Sequence, residues 1–421
     1  MEAGARVTVV GQGYVGLPLA MRAVEIGHDV VGYDVDEHRV KMLADARTYV
    51  DDVSDADLES ALATGRYHPS TNEDDLSGFD VAVITVPTPL REGAPDLTYV
   101  DRAAATLGRH LRPGATVILE STTYPGTTEE RLRPVLEETS GLRAGADFHL
   151  GYSPERIDPG NREFTFVNTP KVVAGIDPAS TEAVRAFYDR LVERTVVLPS
   201  ARAAELTKLV ENTFRHVNIA LVNELAMFAN DLDIDIWSVI DAAATKPFGF
   251  MRFTPGPGVG GHCLPIDPSY LSWQVKRRLG STFRFVELAN DINEHMPSYV
   301  VRRITESLNR RRLPVNGSRI LLLGLSYKRN SGDARESPAI PIARQLDGLG
   351  AHVRAADPHV NEHIVDCPAV RVDATVAEIE AADLVVLVTD HDDFPYEAVA
   401  SHAKAVFDTR HRLRGPNVEH L

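Results

Sequence analysis

The pattern that most restricts the fold of this chain lies in its first 34 residues. The valine-rich segment 6–10 is followed at once by Gly11-Gln12-Gly13-Tyr14-Val15-Gly16, and then by helical apolar spacing that stops near Gly27. A second strand-like segment, 28–33, ends in Asp34. This order predicts a buried strand, a glycine turn, a helix and a second parallel strand that ends in an acid.

The glycine turn indicates a dinucleotide site. The first glycine allows the tight turn, the second lets the backbone approach a pyrophosphate, and the third lets the helix pack against the strand. The unpaired N–H groups at the start of the helix then face the phosphates. Asp34 has the spacing of an acid that binds a ribose hydroxyl, and its carboxylate would repel a 2′-phosphate. We therefore predict that this unit binds NAD rather than NADP.

The alternation of strands and helices continues to about residue 200. Further strands are predicted at 79–86, 115–119, 147–151, 171–174 and 195–198. Ligands of open parallel sheets bind beyond the carboxyl ends of the strands, so we expect the loops at 87–89 and 120–127 to line the cofactor cleft. Turn chemistry or helix capping would equally explain Thr88 and Thr122 if each is considered alone.

A different pattern begins near residue 201. Helical apolar spacing without Gly or Pro predicts one helix over Ala203–Leu232, long enough to link two domains. Lys208 and Asn212 share one face of this helix, although solvent exposure alone would explain that pair. Further helices are predicted at 236–244, from Ser269, and from Phe283 through Leu308.

A loop rich in glycine and proline, residues 255–268, interrupts these helices and contains Cys263 and Asp267. Glycines and prolines exclude a regular helix or strand there, so this segment is a shaped loop. Cys263 is either a nucleophilic thiol beside an acid–base group or a buried structural cysteine. The other cysteine, Cys367, lies far away without metal-ligand spacing, which is typical of a reducing cytoplasm.

The last hundred residues predict a second, smaller α/β domain. A boundary at 311–317 precedes predicted strands at 319–323, 353–356 and 383–388. The full glycine fingerprint is missing at Gly324, so this domain is expected to bind something other than a dinucleotide, or nothing. The predicted fold class is α/β, with two Rossmann-like parallel-sheet domains joined by a central helical domain with one long helix. The predicted domains are 1–200, 201–312 and 313–421.

Charge and composition exclude several classes of function. The chain of 421 residues has a net charge of −16, which argues against a nucleic-acid-binding surface. No apolar run is long enough to span a membrane, and a strand begins too early to leave room for a signal peptide. These observations predict a cytoplasmic protein without a nucleic-acid or membrane partner and without a bound metal.

Together the motifs resemble those of the UDP-glucose/GDP-mannose dehydrogenase family, the nucleotide-sugar 6-dehydrogenases, over almost the whole chain. The resemblance is carried by the segments 11–18, Ser121-Thr122, Ser153-Pro154-Glu155, Lys208 with Asn212, Gly260-Gly261-His262-Cys263 with Asp267, and Tyr327-Lys328 with 332–337. Segments 121–127 and 256–268 are most similar to the UDP-N-acetylglucosamine 6-dehydrogenase branch.

The resemblance implies a four-electron oxidation of a sugar C6 alcohol to a carboxylate, with reduction of two NAD+. A thiolate at Cys263 would add to the aldehyde formed first, giving a thiohemiacetal that is oxidised to a thioester and then hydrolysed. A thiol suits this chemistry because its adduct can be oxidised and then cleaved, whereas a free aldehyde could escape.

The resemblance also implies the roles of individual residues. Lys208 would stabilise the developing oxyanion and lower the thiol pKa, with a hydrogen bond from Asn212 in support. Glu155 would serve thioester hydrolysis, Asp267 would support Lys208 and the water, and Thr122 would position that water or the cofactor. The implied catalytic residues are Cys263, Lys208, Asp267, Asn212, Glu155 and Thr122.

The implied ligand contacts extend over all three predicted domains. The implied cofactor-binding residues are Gly11, Gly13, Tyr14, Val15, Gly16, Asp34, Arg39, Val86, Thr88, Thr122, Glu155 and Arg335. The implied substrate-binding residues are Glu155, Lys208, Asn212, Arg252, Gly260 and Lys328. In the family, the arginine before the cysteine loop reaches the site of the neighbouring subunit, which implies a homodimer or higher homo-oligomer built on the helix at 203–232.

Alternatives remain open at this point. The sugar could be UDP-N-acetylglucosamine, UDP-glucose, UDP-N-acetylmannosamine or a dTDP-hexose. A two-electron hydroxy-acid dehydrogenase would share much of the architecture, but it would leave Cys263 unexplained. A regulator that binds NAD or a nucleotide sugar without catalysis is a further alternative, although the thiol and the lysine are both present.

Overall fold

The computed structural model describes residues 4–50, 52–91, 93–157, 161, 163–261, 264–361 and 366–421. The chain divides into two compact units, residues 1–211 and 212–421. The finer division into domains at 1–200, 201–312 and 313–421 stays a prediction. Among the helices that the structure describes, none is both long and apolar enough to cross a membrane.

The first unit contains one large sheet with helices on its faces. Its strands are β1 (Arg6–Val10), β2 (Asp29–Tyr33), β3 (Tyr67–Ser70), β4 (Val81–Ile84), β5 (Leu90–Arg91), β6 (Ala94–Pro95), β7 (Thr116–Leu119), β8 (His149–Tyr152), β9 (Lys171–Gly175) and β10 (Thr195–Val197). Its helices are α1 (Gly16–Glu25), α2 (Glu37–Ala44), α3 (Asp55–Ala63), α4 (Thr98–His110), α5 (Arg133–Ser140) and α6 (Pro178–Leu191).

The large sheet has the strand order β3-β2-β1-β4-β7-β8-β9-β10. Its first six strands follow the doubly wound order 3-2-1-4-5-6, in which the order reverses between β1 and β4 and opens a crevice for a ligand. Strand β9 pairs antiparallel with β8, whereas the other neighbours that the described residues form are parallel. The hairpin of β5 and β6 is separate.

Strand β1 is buried on both faces beyond Arg6, which explains why three of its five residues are valines. Val7 and Val9 pack in a cluster with Leu17 of α1, whereas Val10 belongs to a second cluster with Leu107 of α4. Helix α1 can lie close to the sheet because Gly16, its first residue, has no side chain. The core of this unit therefore holds the carboxyl ends of β1 and β4 in fixed positions.

One long helix follows the first sheet: α7 (Ala201–Asp231), of 31 residues. It agrees closely with the predicted range 203–232, because no Gly or Pro interrupts it. Several of its apolar side chains are exposed at a spacing that forms one stripe along the helix: Leu206, Val210, Phe214, Leu221, Leu225, Phe228 and, just beyond the end, Leu232.

The second unit combines helices with a second parallel sheet. Its helices beyond α7 are α8 (Ile236–Ala244), α9 (Asp267–Leu279), α10 (Arg284–Arg310), α11 (Ala339–Gly348), α12 (Val376–Ala381) and α13 (Tyr396–His402). Its strands are β11 (Arg319–Leu323), β12 (His352–Ala356), β13 (Val370–Arg371), β14 (Leu384–Leu387), β15 (Val406–Asp408) and β16 (Val418–His420).

The second sheet has the order β13-β12-β11-β14-β15-β16, and its described pairs are parallel. This is again the order 3-2-1-4-5-6. Helix α10 packs against it, with Met296, Val300 and Ile304 in one buried cluster with Ile320 and Leu322. The predicted α/β fold class with two Rossmann-like sheets and one long helix is confirmed.

Candidate active site

The glycine turn after β1 has the shape that a bound dinucleotide requires. Gly11 has a φ of +96°, which favours glycine. A Cβ at Gly16 would lie 1.9 Å from the carbonyl oxygen of Gly11, so a side chain cannot fit there. The space where Gly13 would carry a Cβ is open, so a phosphate can approach the backbone. Tyr14 and Val15 follow, partly exposed, immediately before α1.

Asp34 lies directly after β2 and braces the glycine turn. Its Oδ2 accepts a hydrogen bond of 2.8 Å from the Gln12 N–H, and its Oδ1 accepts one of 3.0 Å from the Asp36 N–H. Arg39 lies 3.9 Å from the Asp34 carboxylate and stacks over Tyr49. The acid therefore holds the turn while keeping a negative charge at the end of β2.

The loops after β4 and β7 meet, as the strand-end rule predicts. The Thr88 hydroxyl donates a hydrogen bond of 2.8 Å to the Thr122 carbonyl. The Ser121 hydroxyl donates one of 2.7 Å to the Val86 carbonyl. Two predicted cofactor residues, Val86 and Thr88, thus adjoin the predicted catalytic residue Thr122.

A buried acid–base cluster, formed by Glu120, Glu155, Lys171 and Tyr188, lies beyond the end of β7. The Lys171 ammonium donates to Glu155 Oε2 at 3.1 Å and also contacts Glu120, while the Tyr188 hydroxyl donates to Glu120. Removing one partner of such a buried ion pair costs about 3–5 kcal/mol, because a charge is left without compensation. The cluster therefore fixes Glu155 firmly.

The two carboxyl groups of this cluster have opposite pKa shifts. Burial raises the pKa of Glu120 to about 8, although the charge of Lys171 opposes the shift. Burial would also raise the pKa of Glu155, but the charges of Lys171 and Lys208 and the hydrogen bonds it accepts lower it to about 2. At neutral pH the cluster thus contains one carboxylic acid and one carboxylate.

Lys208 is buried on the first part of α7, close enough for its charge to act on Glu155. Three residues earlier on the same helix, Glu205 accepts hydrogen bonds of 2.8 Å and 2.7 Å from the N–H and hydroxyl of Thr128 and another from the Gly126 N–H. Glu205 therefore anchors the loop that carries Thr122 to the helix that carries Lys208. Burial raises the pKa of Glu205 to about 7.

In the second unit, two predicted catalytic residues meet. Asn212 Nδ2 donates a hydrogen bond of 2.5 Å to Asp267 Oδ2, and both side chains are buried. Asp267 is the first residue of α9, where the N–H groups of the helix start stabilise a negative charge. Cys263, the predicted nucleophile, and His262 lie outside the described residues.

The glycine loop before Cys263 packs against the motif that follows β11. A Cβ at Gly260 would lie 2.6 Å from the Tyr327 side chain, and one at Gly261 would lie 2.7 Å from the ring of the same tyrosine. The Gly261 N–H donates a hydrogen bond of 3.0 Å to the Arg335 carbonyl. Both glycines are needed for this close approach, since any side chain would collide with Tyr327.

The predicted cations of this unit occupy different environments. Lys328 is half-buried in the turn after β11. It follows Tyr327, the residue against which the glycine loop packs. Arg335 is exposed and forms a two-pronged ion pair with Asp333, of 2.9 Å and 2.6 Å. Arg252 is exposed and pairs with Asp241 at 2.7 Å, so its guanidinium faces outward from this unit.

Several residues of this site were missed by the sequence analysis. Arg410 lies just beyond the end of β15, and its guanidinium would be 2.9 Å from a Cβ at Gly256 in the glycine loop. The strand-end rule, applied to β15, would have found it. Glu120 also follows a strand directly, but nothing in the sequence indicates that Lys171, 51 residues away, would pair with it.

The residues of the first unit fit NAD. The turn needs glycine at positions 11 and 16, leaves open space at Gly13, and ends in a negative charge at Asp34, which suits a free ribose hydroxyl. The second sheet differs from the first because the glycine fingerprint after its first strand, at Gly324, is incomplete. A Cβ at Gly324 would lie 2.5 Å from Thr389, so this glycine serves packing between strands.

Comparison with known proteins assigns each part of the chain. Residues 5–192 match the NAD binding domain of the UDP-glucose/GDP-mannose dehydrogenase family, residues 202–295 match its central domain, and residues 321–415 match its UDP binding domain. These three ranges contain most of both sheets and of the long helix. NAD is therefore the cofactor, and most of the second sheet lies in the range that matches the family's UDP binding domain.

Individual relatives agree. The chain is 35% identical over 420 residues to the UDP-N-acetyl-D-mannosamine dehydrogenase of Pyrococcus horikoshii, with 98% of this chain and 97% of that protein covered. It is 40% identical over 360 residues to the UDP-N-acetyl-D-glucosamine 6-dehydrogenase of Pseudomonas aeruginosa, with 85% and 83% covered.

The similarity extends to solved structures. The UDP-D-ManNAc dehydrogenase of Pyrococcus horikoshii superposes with a TM-score of 0.90 at 33% identity, over 99% of this chain and 98% of that one. A UDP-glucose dehydrogenase from Pyrobaculum islandicum gives a TM-score of 0.89 at 29% identity, over 99% and 96%. With all three domains matched, the chain belongs to the UDP-glucose/GDP-mannose dehydrogenase family and is an NAD-dependent nucleotide-sugar 6-dehydrogenase.

Proposed function

We propose that this enzyme oxidises the C6 alcohol of UDP-N-acetylglucosamine to the carboxylate in two steps, with Cys263 as the covalent nucleophile. The alcohol and one water yield the carboxylate and three protons, and two hydrides leave C6. The relative with 40% identity, a UDP-N-acetyl-D-glucosamine 6-dehydrogenase, supports this choice of sugar. Because the reaction consumes NAD+, we propose the cytoplasm as its location.

The observation that carries the proposal is the buried hydrogen bond between Asn212 and Asp267. It joins a residue of the long helix to the residue four positions after Cys263. Burying a carboxylate with an amide partner costs free energy that an apolar pair filling the same space would not cost. The pair is therefore better explained by a role in the reaction than by packing. The bonded pair of Asn212 and Asp267 would supply a thiol on the intervening loop with nearby polar groups for its reaction.

Each residue then has a task in the reaction. NAD+, when bound, would supply the hydride acceptor for each of the two oxidations at C6. Lys208 stabilises the negative charge that develops on the C6 oxygen, and Asn212 adds a hydrogen bond to the same oxygen. Glu155 removes a proton from the water that attacks the thioester, while Thr122 positions that water. Asp267 holds Asn212 and supports Lys208.

The cofactor is held by the first unit in this proposal. The turn residues Gly11, Gly13, Tyr14, Val15 and Gly16 receive the pyrophosphate. Asp34 and Arg39 hold the adenosine half, and the nicotinamide half lies near the loops that carry Val86, Thr88, Thr122 and Glu155. Arg335 is proposed as a further contact. Its pairing with Asp333 would have to open for this, because two of its three guanidinium nitrogens, Nε and Nη2, are engaged there.

The diphosphate of the substrate needs positive charge, which an acidic chain must supply locally. Arg410 lies against the loop at Gly256, and Lys328 follows Tyr327, which packs against the same loop at Gly260. Lys328 and Arg410 are the cations we propose for this task. Gly260 would let the substrate approach the backbone. Asn212, Glu155 and Lys208 would contact the reacting end of the sugar.

We also propose a homodimer that buries the exposed stripe of α7. The stripe contains Leu221, Leu225 and Phe228, each more than two-fifths exposed. Apolar surface of this extent along one helix is rarely left in water. Arg252, which faces outward, would reach the active site of the neighbouring subunit in such a dimer.

UDP-N-acetylmannosamine is a second candidate substrate. The relative that covers nearly the whole chain, and the structure with a TM-score of 0.90, are enzymes named for this sugar. The two sugars differ in the configuration at C2. The reacting C6 group is the same, so the proposed roles of Cys263 and Lys208 do not depend on this choice.

The test is NADH formation from limiting amounts of UDP-N-acetylglucosamine, UDP-N-acetylmannosamine, UDP-glucose and a dTDP-hexose. Two NADH per sugar for the first compound would support the proposal, and two for another compound would reassign the substrate. One NADH per sugar would contradict the thioester route. A Cys263→Ser protein is expected to lose turnover, whereas the matched control Cys367→Ser is expected to retain it.

A further inference from the structure

We propose that Glu120 is a positioning residue of the active site: a buried neutral carboxylic acid that, with Lys171 and Tyr188, holds Glu155 as a carboxylate in place. This inference rests on the proposed role of Glu155 in thioester hydrolysis. The sequence motifs assign no role to Glu120, because it acts through Glu155 and is itself fully buried.

The contacts of the cluster carry this inference. Glu120 comes directly after β7, Lys171 begins β9, and Tyr188 lies on α6 against both strands. Lys171 contacts both carboxyl groups, and the Tyr188 hydroxyl donates to Glu120. Two buried carboxylates around one ammonium would carry one negative charge in excess, so one of the two carboxyl groups keeps its proton.

Charge balance indicates which group keeps the proton. Among the described residues, Lys171 is the one cation in contact with both carboxyl groups, and a second buried carboxylate would lack compensation. Glu155 also accepts hydrogen bonds from the N–H groups of Arg156 and Ile157, and it feels the charge of Lys208. These groups stabilise the ionised form of Glu155, so the proton stays on Glu120.

The elements packed around Glu120 each contribute a titratable or charged group that faces it. These groups are Lys171 of β9, Tyr188 of α6, Glu155 of the loop after β8 and, through Glu155, Lys208 of α7. If Glu120 lost its proton, two like charges would lie beside the same ammonium of Lys171 and would displace Glu155. A base that must accept a proton from one water cannot tolerate that movement.

The decisive variant is Glu120→Gln, which keeps the shape and the hydrogen bonds but cannot lose a proton. Wild-type kcat is expected to fall about tenfold per pH unit above pH 8, the value about which Glu120 titrates. The variant is expected to match the wild type at neutral pH and to lack this alkaline fall. An identical alkaline fall in both proteins would overturn the proposal, because a purely structural role would not depend on this proton.

An infrared measurement decides the protonation without any activity. The carbonyl stretch of a protonated carboxylic acid should be present at neutral pH, disappear as the pH rises through about 8, and be absent from Glu120→Gln. Glu205 also has a raised pKa, so Glu205→Gln is the matched control that removes its own band only. A band that titrates near pH 8 and persists unchanged in Glu120→Gln would contradict the inference.

The two readouts separate the possible failures. If no sugar yields NADH, the proposed function fails, while the infrared band still decides the state of Glu120. If Glu120→Gln does not fold, the wild-type and Glu205→Gln spectra suffice. A band that survives in Glu205→Gln and titrates near pH 8 supports the inference, and the absence of that band overturns it.

Discussion

Asn212 donates a buried hydrogen bond of 2.5 Å to Asp267, although the two residues are 55 positions apart in the chain. One lies on the long helix and the other begins the helix after the cysteine loop. The bond therefore fixes the far end of that loop relative to the helix.

The first prediction concerns this bond. Asp267→Asn is expected to lower kcat by about 100-fold, because it removes the carboxylate charge and reduces the acid–base assistance. The KM for NAD+ should change little, since Asp267 lies outside the glycine turn. Asp291→Asn, an exposed carboxylate on α10 of the same unit, is the matched control and should behave as the wild type. Full activity of Asp267→Asn would exclude Asp267 from the chemistry.

The second prediction concerns cofactor choice. Asp34→Asn is expected to shift the ratio of kcat/KM values toward NADP by at least about tenfold, because it removes a charge that repels the 2′-phosphate. Asn can still accept the hydrogen bond from Gln12 that braces the turn. Initial rates with both cofactors measure the ratio. Asp36→Asn changes a neighbouring charge but keeps a helix cap, and an equal shift in that control would refute a specific role of Asp34.

The third prediction concerns assembly. Leu225→Glu and Phe228→Glu are expected to convert a dimer into monomers, because a buried unpaired charge destabilises an apolar interface. Light scattering coupled to size-exclusion chromatography measures the mass. Leu349→Glu places the same charge at an exposed apolar position at the end of α11 and should leave the mass unchanged. If the α7 variants keep the wild-type mass, this stripe is not the interface.

The fourth prediction concerns acid stability in the second unit. Asp357 accepts hydrogen bonds from the N–H groups of Leu325 and Ser326, and it pairs with buried His391 at 3.0 Å. Burial would raise the pKa of Asp357, but the hydrogen bond and charge of His391 outweigh it and lower the pKa below 3.8. The stabilisation is therefore present above about pH 3.8 and is lost as the pH falls through the lowered value.

Asp357→Asn should accordingly lower the free energy of unfolding near neutral pH and reduce its steepness below about pH 4. Urea unfolding between about pH 5 and pH 2, followed by hydrogen exchange in residues 320–360, measures both effects. The exposed carboxylate Asp347 provides the matched control Asp347→Asn. Equal pH dependence in the wild type and Asp357→Asn would show that Asp357 contributes no such stabilisation.

The elements of the fold were largely predictable, because local signals determine them. Helix α8 and strand β11 have the predicted bounds, since a cap precedes α8 and the apolar run 320–323 of β11 ends at Gly324. Strands at 79–86 and 115–119 are shorter in the structure, because their end residues turn into loops. The antiparallel pairing of β9 with β8 was not predictable, because the sequence that connects these two strands lacks the apolar spacing of a helix.

The candidate site was only partly predictable. The strand-end rule located Thr88 and Thr122, because parallel strands bring their carboxyl ends to one edge. The buried partners Lys171 and Tyr188 could not be found this way. Tyr188 lies within a helix and Lys171 at the start of a strand, and pairing over such distances depends on packing rather than on local pattern. A family resemblance names residues that touch the substrate more readily than the residues that support them.

The contact of Gly260 and Gly261 with Tyr327 has a consequence for divergence and engineering. Because the tyrosine ring fills the space where two side chains would stand, the cysteine loop and the segment after β11 form a matched pair. A chimera that exchanges the UDP-binding segment of two relatives would have to carry an aromatic ring of the same size at this position. We therefore expect a new sugar preference to arise more readily from substitutions outside the cysteine loop than from substitutions within it.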